Sequence, residues 1–253
     1  MIHRVAVLFA AVFAAVLVVW MHTRAGFTSR KSLPSDILDL STWKLTLPIA
    51  GADGKAEALS SADLRSHTSQ YMFVTGSQRR PAVAFKAPCN GFTTENTKYP
   101  RSELGEIDKN GEKRIWSNRR GTHVMSATLA IAALPPVKPH VICAQIHGST
   151  EAPLTIRLEG PTLIIEHYGA TKLVLNDAYA LGELFTIIIR GAKGKFTVTY
   201  RGKNGTKSWS MAFPLDWCRF RIGCYLASNV EAGNAPDAYG QVNVFSLRTV
   251  HTQ

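Results

Sequence analysis

Beyond residue 25 the chain shows no sustained helical period; instead, short runs of alternating apolar and polar residues recur, separated by turn-forming Gly, Pro, Asn and Asp. Side chains alternate across a strand, whereas one face of a helix recurs every ~3.6 residues, so this pattern restricts the chain to β structure. An opening strand carries Trp43, Leu45 and Leu47 on one face and is expected to end at Pro48. Residues 50–69 read as a polar loop with one helical turn near 61–65, followed by strands at 71–75 and 81–87. Further runs at 122–134, 141–147, 154–158, 162–167, 172–175, 184–190, 195–201, 207–213, 219–226 and 241–250 complete the set. So many short strands imply an all-β protein, two antiparallel sheets packed as a sandwich or jelly roll, in a single domain at 37–253.

The segment before that domain is of another kind. Residues 1–4 are basic and residues 5–21 continuously apolar, the pattern of a secretory signal peptide at 1–25, with an uncleaved membrane anchor as the alternative. Either leaves the remainder exported, secreted or held outside a membrane. Residues 26–36 form a short linker, and a monomer is expected. Lys and Arg exceed Asp and Glu by 11, and only Arg4 and Arg24 of that excess lie before residue 26. The folded part therefore favours an anionic partner. The basic residues are dispersed and match no zinc-finger, basic-helix or aromatic nucleic-acid motif, which argues against nucleic acid. Cys89, Cys143, Cys218 and Cys224, in an exported chain, allow up to two disulfides whose pairing is open, and no spacing is that of a metal site.

Polar chemistry concentrates on one face of three segments. In 141–148 the alternation sends Ile142, Ala144 and Ile146 inward and Gln145 and His147 outward together, about 7 Å apart. In 99–106 it groups Tyr99, Arg101 and Glu103, where a Glu two residues from an Arg can hold the guanidinium fork rigid for a carboxylate. In 219–226 it separates Phe220, Ile222, Cys224 and Leu226 from Arg219, Arg221, Gly223 and Tyr225, with Gly223 leaving a gap for close approach of a ligand to the backbone. Each segment alone is equally consistent with a surface ion pair or ordinary packing. Jointly they supply what β-elimination of a 4-linked uronic acid demands: Arg and Gln to neutralise the carboxylate, His and Tyr to take the C5 proton and protonate the leaving oxygen. No metal or other cofactor is needed. The remaining histidines, among them His123 and His251, show no partner pattern.

These blocks, Arg-Ser-Glu-Leu-Gly at 101–105, Gln-Ile-His at 145–147 and Arg-Phe-Arg-Ile-Gly-Cys-Tyr at 219–225, together with Ile-Leu-Asp-Leu-Ser-Thr-Trp-Lys-Leu-Thr-Leu-Pro-Ile at 37–49, resemble the signatures of alginate lyases of polysaccharide lyase family 7. The resemblance spans about 37–250. It implies a β-jelly roll with a concave cleft, an acidic polysaccharide as partner, and Arg101, Gln145, His147 and Tyr225 as catalytic groups. Glu103 would orient Arg101, while Arg221, Lys44 and Tyr99 would bind substrate. Ile146 resembles members that accept guluronate-containing blocks. Gly105 and Arg219 depart from the family's Arg and Tyr, which leaves a glucuronan or another polyuronate as alternative substrate.

Two rival classes find less support in the residues. Glu106-Ile107-Asp108 begins like a laminarinase-type hydrolase motif, but Gly111 stands where its second Glu belongs. Glu112 would lie about 20 Å from Glu106 on an extended strand, beyond the ~5–9.5 Å of paired catalytic carboxylates. A non-catalytic lectin for acidic polysaccharide could use the same Arg and Gln face.

Overall fold

The computed structural model describes residues 32–253 apart from residue 170. The expected leader at 1–25 and the first part of the linker lie outside the described residues. Leu33–Gln253 forms one compact unit. It opens with a one-turn helix α1 (Pro34–Ile37), so the end of the expected linker is structured.

Two antiparallel sheets follow. The first has eight strands in the order β10-β9-β8-β7-β14-β5-β1-β2. These are β1 (Trp43–Ala50), β2 (Ala56–Leu59), β5 (Arg101–Glu106), β7 (His140–His147), β8 (Leu154–Glu159), β9 (Thr162–His167), β10 (Thr171–Asn176) and β14 (Arg219–Leu226). The second has seven, in the order β13-β12-β11-β6-β15-β4-β3. These are β3 (Met72–Ser77), β4 (Arg80–Pro88), β6 (Thr122–Ala133), β11 (Phe185–Ala192), β12 (Lys195–Gly202), β13 (Gly205–Ala212) and β15 (Tyr239–Thr252). Every run expected from alternation is a strand. β1 departs from expectation by continuing two residues past Pro48, whose carbonyl accepts from Phe92 N–H instead of a ladder partner. β2 lies inside the segment read as loop; its four residues pair on β1 at the sheet edge, and so short a run carries little period of its own.

Alternation explains the core. Trp43, Leu45 and Leu47 of β1 and Phe220, Ile222, Cys224 and Leu226 of β14 are buried. They belong to one apolar cluster with Met125, Leu129 and Ile131 of β6, Phe185, Ile187 and Ile189 of β11 and Phe196 and Val198 of β12. Each large side chain so buried contributes about 1.5–3 kcal/mol of transfer free energy. Tight turns fix the pairing of neighbours. Between β11 and β12, Ala192 pairs with Lys195 across Lys193 and Gly194, both at positive φ, as the two-residue hairpin turn matching strand twist requires.

Candidate active site

β14 lies between β5 and β7 in the middle of the eight-stranded sheet, so segments distant in sequence become nearest neighbours. Arg221 pairs with Gly105 on one side and Gln145 on the other, Arg219 pairs with His147, and Tyr225 pairs with Arg101. Lys44 extends the first of these rows through Gly105 and is exposed. Paired residues of antiparallel strands share a face, and since the apolar partners fill the core, this face looks outward.

Glu103 is the hub, with 1% of its surface exposed. Arg101 Nη1 lies 3.3 Å and Arg221 Nη2 3.0 Å from Oε2, and the Gln145 amide donates to Oε1. Burial alone would raise the carboxyl's pKa; Arg221 and Arg101, with the Gln145 hydrogen bond, outweigh it and hold it below the usual range. Such partners offset the desolvation cost of burying the carboxylate, and removing one of them strands the charge. Glu103 therefore orients both guanidinium groups and the amide, not Arg101 alone. Two buried cations around one carboxylate leave this part of the face positive.

Tyr225 and His147 flank the hub. The Arg101 guanidinium stacks 3.8 Å over the Tyr225 ring. The phenol oxygen lies 2.9 Å from Thr97 Oγ1, which also accepts Tyr99 N–H. At the other end His147 Nδ1 donates to the Gly148 carbonyl at 2.7 Å, which leaves Nε2 with a free lone pair. Burial, aided by the Arg221 and Arg219 charges and opposed by that carbonyl, lowers the imidazole pKa to about 4. His147 is thus neutral at pH 7. Burial also lowers Arg221 to about 10, still fully charged at that pH. His147 lies opposite Arg219 and Tyr225 opposite Ile142, so their backbones stand five positions of β7 apart, roughly 16 Å along the sheet at ~3.3 Å each, with the hub between them.

A model of the alginate lyases matches residues 38–251. The chain belongs to this family. Solved family members have the same fold: alginate lyase AlgAT5 from polysaccharide lyase family 7 is 40% identical, TM-score 0.81, with 88% of this chain and 100% of that chain covered. The alginate lyase from Corynebacterium sp. is 33% identical, TM-score 0.80, covering 88% and 99%. The family 7 alginate lyase A1-II′, as a His-to-Asn, Tyr-to-Phe double variant in complex with substrate, is 27% identical, TM-score 0.74, covering 88% and 98%. A curated alginate lyase of Klebsiella pneumoniae is 31% identical over 125 residues; the match spans 49% of this chain and 39% of that relative.

Not every residue sits where alternation placed it. Tyr99 precedes β5 instead of extending its face, and its hydroxyl accepts from Lys138 Nζ at 2.9 Å, with that amine 4.9 Å from the ring centroid. The gap expected at Gly223 is occupied by the protein: a Cβ there would lie 2.6 Å from Ser102 O and 2.9 Å from Glu103 Cα. Ile142 shares the outer face with Tyr225 and Arg157, because a register shift between Ile142 and Ala144 turns Cys143 into the core in its place. The four cysteines are free and buried, so the disulfides allowed by an exported chain are absent among the described residues.

Other polar residues around this face carry no sequence mark. Thr97 sits in the loop before β5, and only its contact with Tyr225 reveals it. On β8, Arg157 binds Glu166 through Nη1 and Glu159 through Nη2, the latter at 2.8 Å, extending the polar face across β9. Glu106, on the opposite face of β5, binds His251 Nε2 at 2.6 Å, and His251 Nδ1 lies 2.8 Å from His123. That inward placement separates Glu106 from the outer cluster and from any hydrolase role there.

Proposed function

We propose that this chain is a lyase that cleaves 4-linked polyuronate, alginate in the first instance, by β-elimination. The observation that supports this is the Glu103 hub: two guanidinium groups and an amide held rigid between a neutral imidazole and a phenol. Arg101, Arg221 and Gln145 would neutralise the uronate carboxylate and so acidify C5–H; one preorganised donor to developing charge is worth on the order of 3 kcal/mol. His147 Nε2, unprotonated at neutral pH, would take that proton, and Tyr225 would donate to the departing O4, giving an unsaturated ring. For the opposite epimer at C5 the proton faces the other way, and Tyr225 would serve as both base and acid. Lys44 would meet a neighbouring carboxylate, at the edge of the row, and Tyr99 a neighbouring sugar. A relative held in complex with substrate as a His, Tyr double variant is consistent with these roles.

The test is the ultraviolet absorbance of the unsaturated product on a panel of polyuronates that includes alginate and glucuronan. His147→Ala and Tyr225→Phe should each lose about 10²–10⁴-fold in turnover, with circular dichroism unchanged. Near-normal rates would remove that residue from the mechanism. Retention of substrate without product in the wild type would favour the lectin reading.

A further inference from the structure

The seven strands of the second sheet contain no Asp or Glu at all, while Arg80, Lys86, Arg190, Arg201 and Arg248 are all among their residues. Its outer face is built in rows of hydroxyls and guanidinium groups. Ser246 pairs with Thr128, Thr128 with Thr186, and Thr186 with Arg201, running from β15 across β6 and β11 to β12. The adjacent row runs from Arg248 through Ser126 and Ile188 to Thr199, and the next places Arg190 between Val124 and Thr197. Arg80, Arg190, Arg201 and Arg248 are exposed, and no described carboxylate forms an ion pair with any of them.

One end of this face holds a cavity of about 400 Å³ lined by Arg79, Arg80, Thr128, Phe245, Ser246 and Asp36. It is shallow and open to solvent, not enclosed. A register shift between Val244 and Ser246 makes Phe245 the extra residue of a bulge, so its ring is left partly exposed beside Ser246. Arg80 lies 5.8 Å from the ring centroid. The one acid, Asp36, has its carboxylate turned to its own backbone, accepting Leu33 N–H at 2.7 Å. An aromatic ring for the apolar side of a sugar, a guanidinium fork for its carboxylate and hydroxyls at the rim are the groups that a uronate unit needs.

We propose that this outer face is a second, non-catalytic binding surface for the acidic polysaccharide. The Phe245 cavity takes one uronate unit, and the chain continues past Arg248 of the same strand and Arg190 of β11 towards Arg201 of β12, the last about 14 Å away across three strand spacings of ~4.8 Å. The choice of ligand rests on the polyuronate reading above; the surface itself is on the opposite side of the sandwich from the Glu103 hub. Held there, a polymer would be kept near the enzyme between cleavages, an effect that short oligomers cannot share.

The experiment is affinity electrophoresis of the full chain through gels containing polymeric alginate, in a His147→Ala background to prevent cleavage. Phe245→Ala and the double change Arg80→Ala, Arg201→Ala should each reduce retardation several-fold. A control that removes the same charge at exposed Lys109 and Lys113 should retain it. In the active background the same back-face variants should raise KM for polymer and leave kcat/KM on short oligouronates unchanged. Unaltered retardation in the back-face variants, with normal product formation by the wild type, would overturn this inference alone. Absence of both retardation and unsaturated product with every polyuronate would overturn the substrate reading and this inference together.

Discussion

At the residue scale, His147 is tuned by what surrounds it and not by its own type. An ordinary imidazole titrates at 6.5; here burial, Arg221 and Arg219 bring it to about 4. A general base must be unprotonated, so activity should fall only as pH drops through the value of the free enzyme. The acid limb of kcat/KM is therefore expected near pH 4, followed by initial rates of product absorbance; a limb near 6.5 would show that His147 is solvated or not the base. The same shift has a stability consequence of defined sign. Because the unfolded chain binds this proton more readily, His147 stabilises the fold fully above pH 6.5, and the contribution fades as pH falls towards 4. The sequence could show His147 beside Gln145 on one strand face, but not the neutral state, which depends first on burial and then on the Arg221 and Arg219 charges contributed by β14.

At the scale of the strand, the three motif segments were legible because alternation holds over most of each, and it lapses where a strand ends, as at Tyr99, or where a bulge interrupts it, as in β7. In β14 the inward set Phe220, Ile222, Cys224 and Leu226 is as expected. In β7 the inward set is Val141, Cys143, Ala144 and Ile146, since β7 carries one residue more than β8 between Ile142 and Ala144; the irregularity of β14 against β7 falls between Ile222 and Tyr225, where Gly223 stands. Gly223 has φ 142°, and β5 backbone fills the space a side chain would take. Gly105 is its contrast: a Cβ there would meet only Arg221 Nε, at 3.9 Å. Gly223→Ala is thus expected to destabilise by at least ~1–3 kcal/mol and to disturb the Arg101–Tyr225 pairing, whereas Gly105→Ala should be neutral or slightly stabilising. Urea melts of the two variants decide this; equal midpoints would mean that the bulge tolerates a side chain.

At the scale of the whole molecule, local alternation announces two sheets but says nothing of their order. The pairing of β1 with β5, of β14 with both β5 and β7, and of β6 with β15 joins segments far apart in the chain, and only packing of both apolar faces selects it. That closed core also explains the cysteines. Four cysteines allowed up to two disulfides, yet Cys89, Cys143, Cys218 and Cys224 all sit in the apolar cluster as small hydrophobes. A domain of this size buries enough apolar surface to need no cross-link. Burial raises the thiols, Cys89 to about 11 and Cys143 and Cys218 to about 12, with Cys224 raised as well. Thiolate is the reactive form, so all should be inert while the fold is closed. A disulfide-exchange reagent is expected to titrate none of the four in the native protein and all of them in denaturant, and added reductant should leave the melting temperature unchanged. Titration of only two thiols in denaturant, or a melting temperature lowered by reductant, would instead reveal a covalent bond within the sandwich.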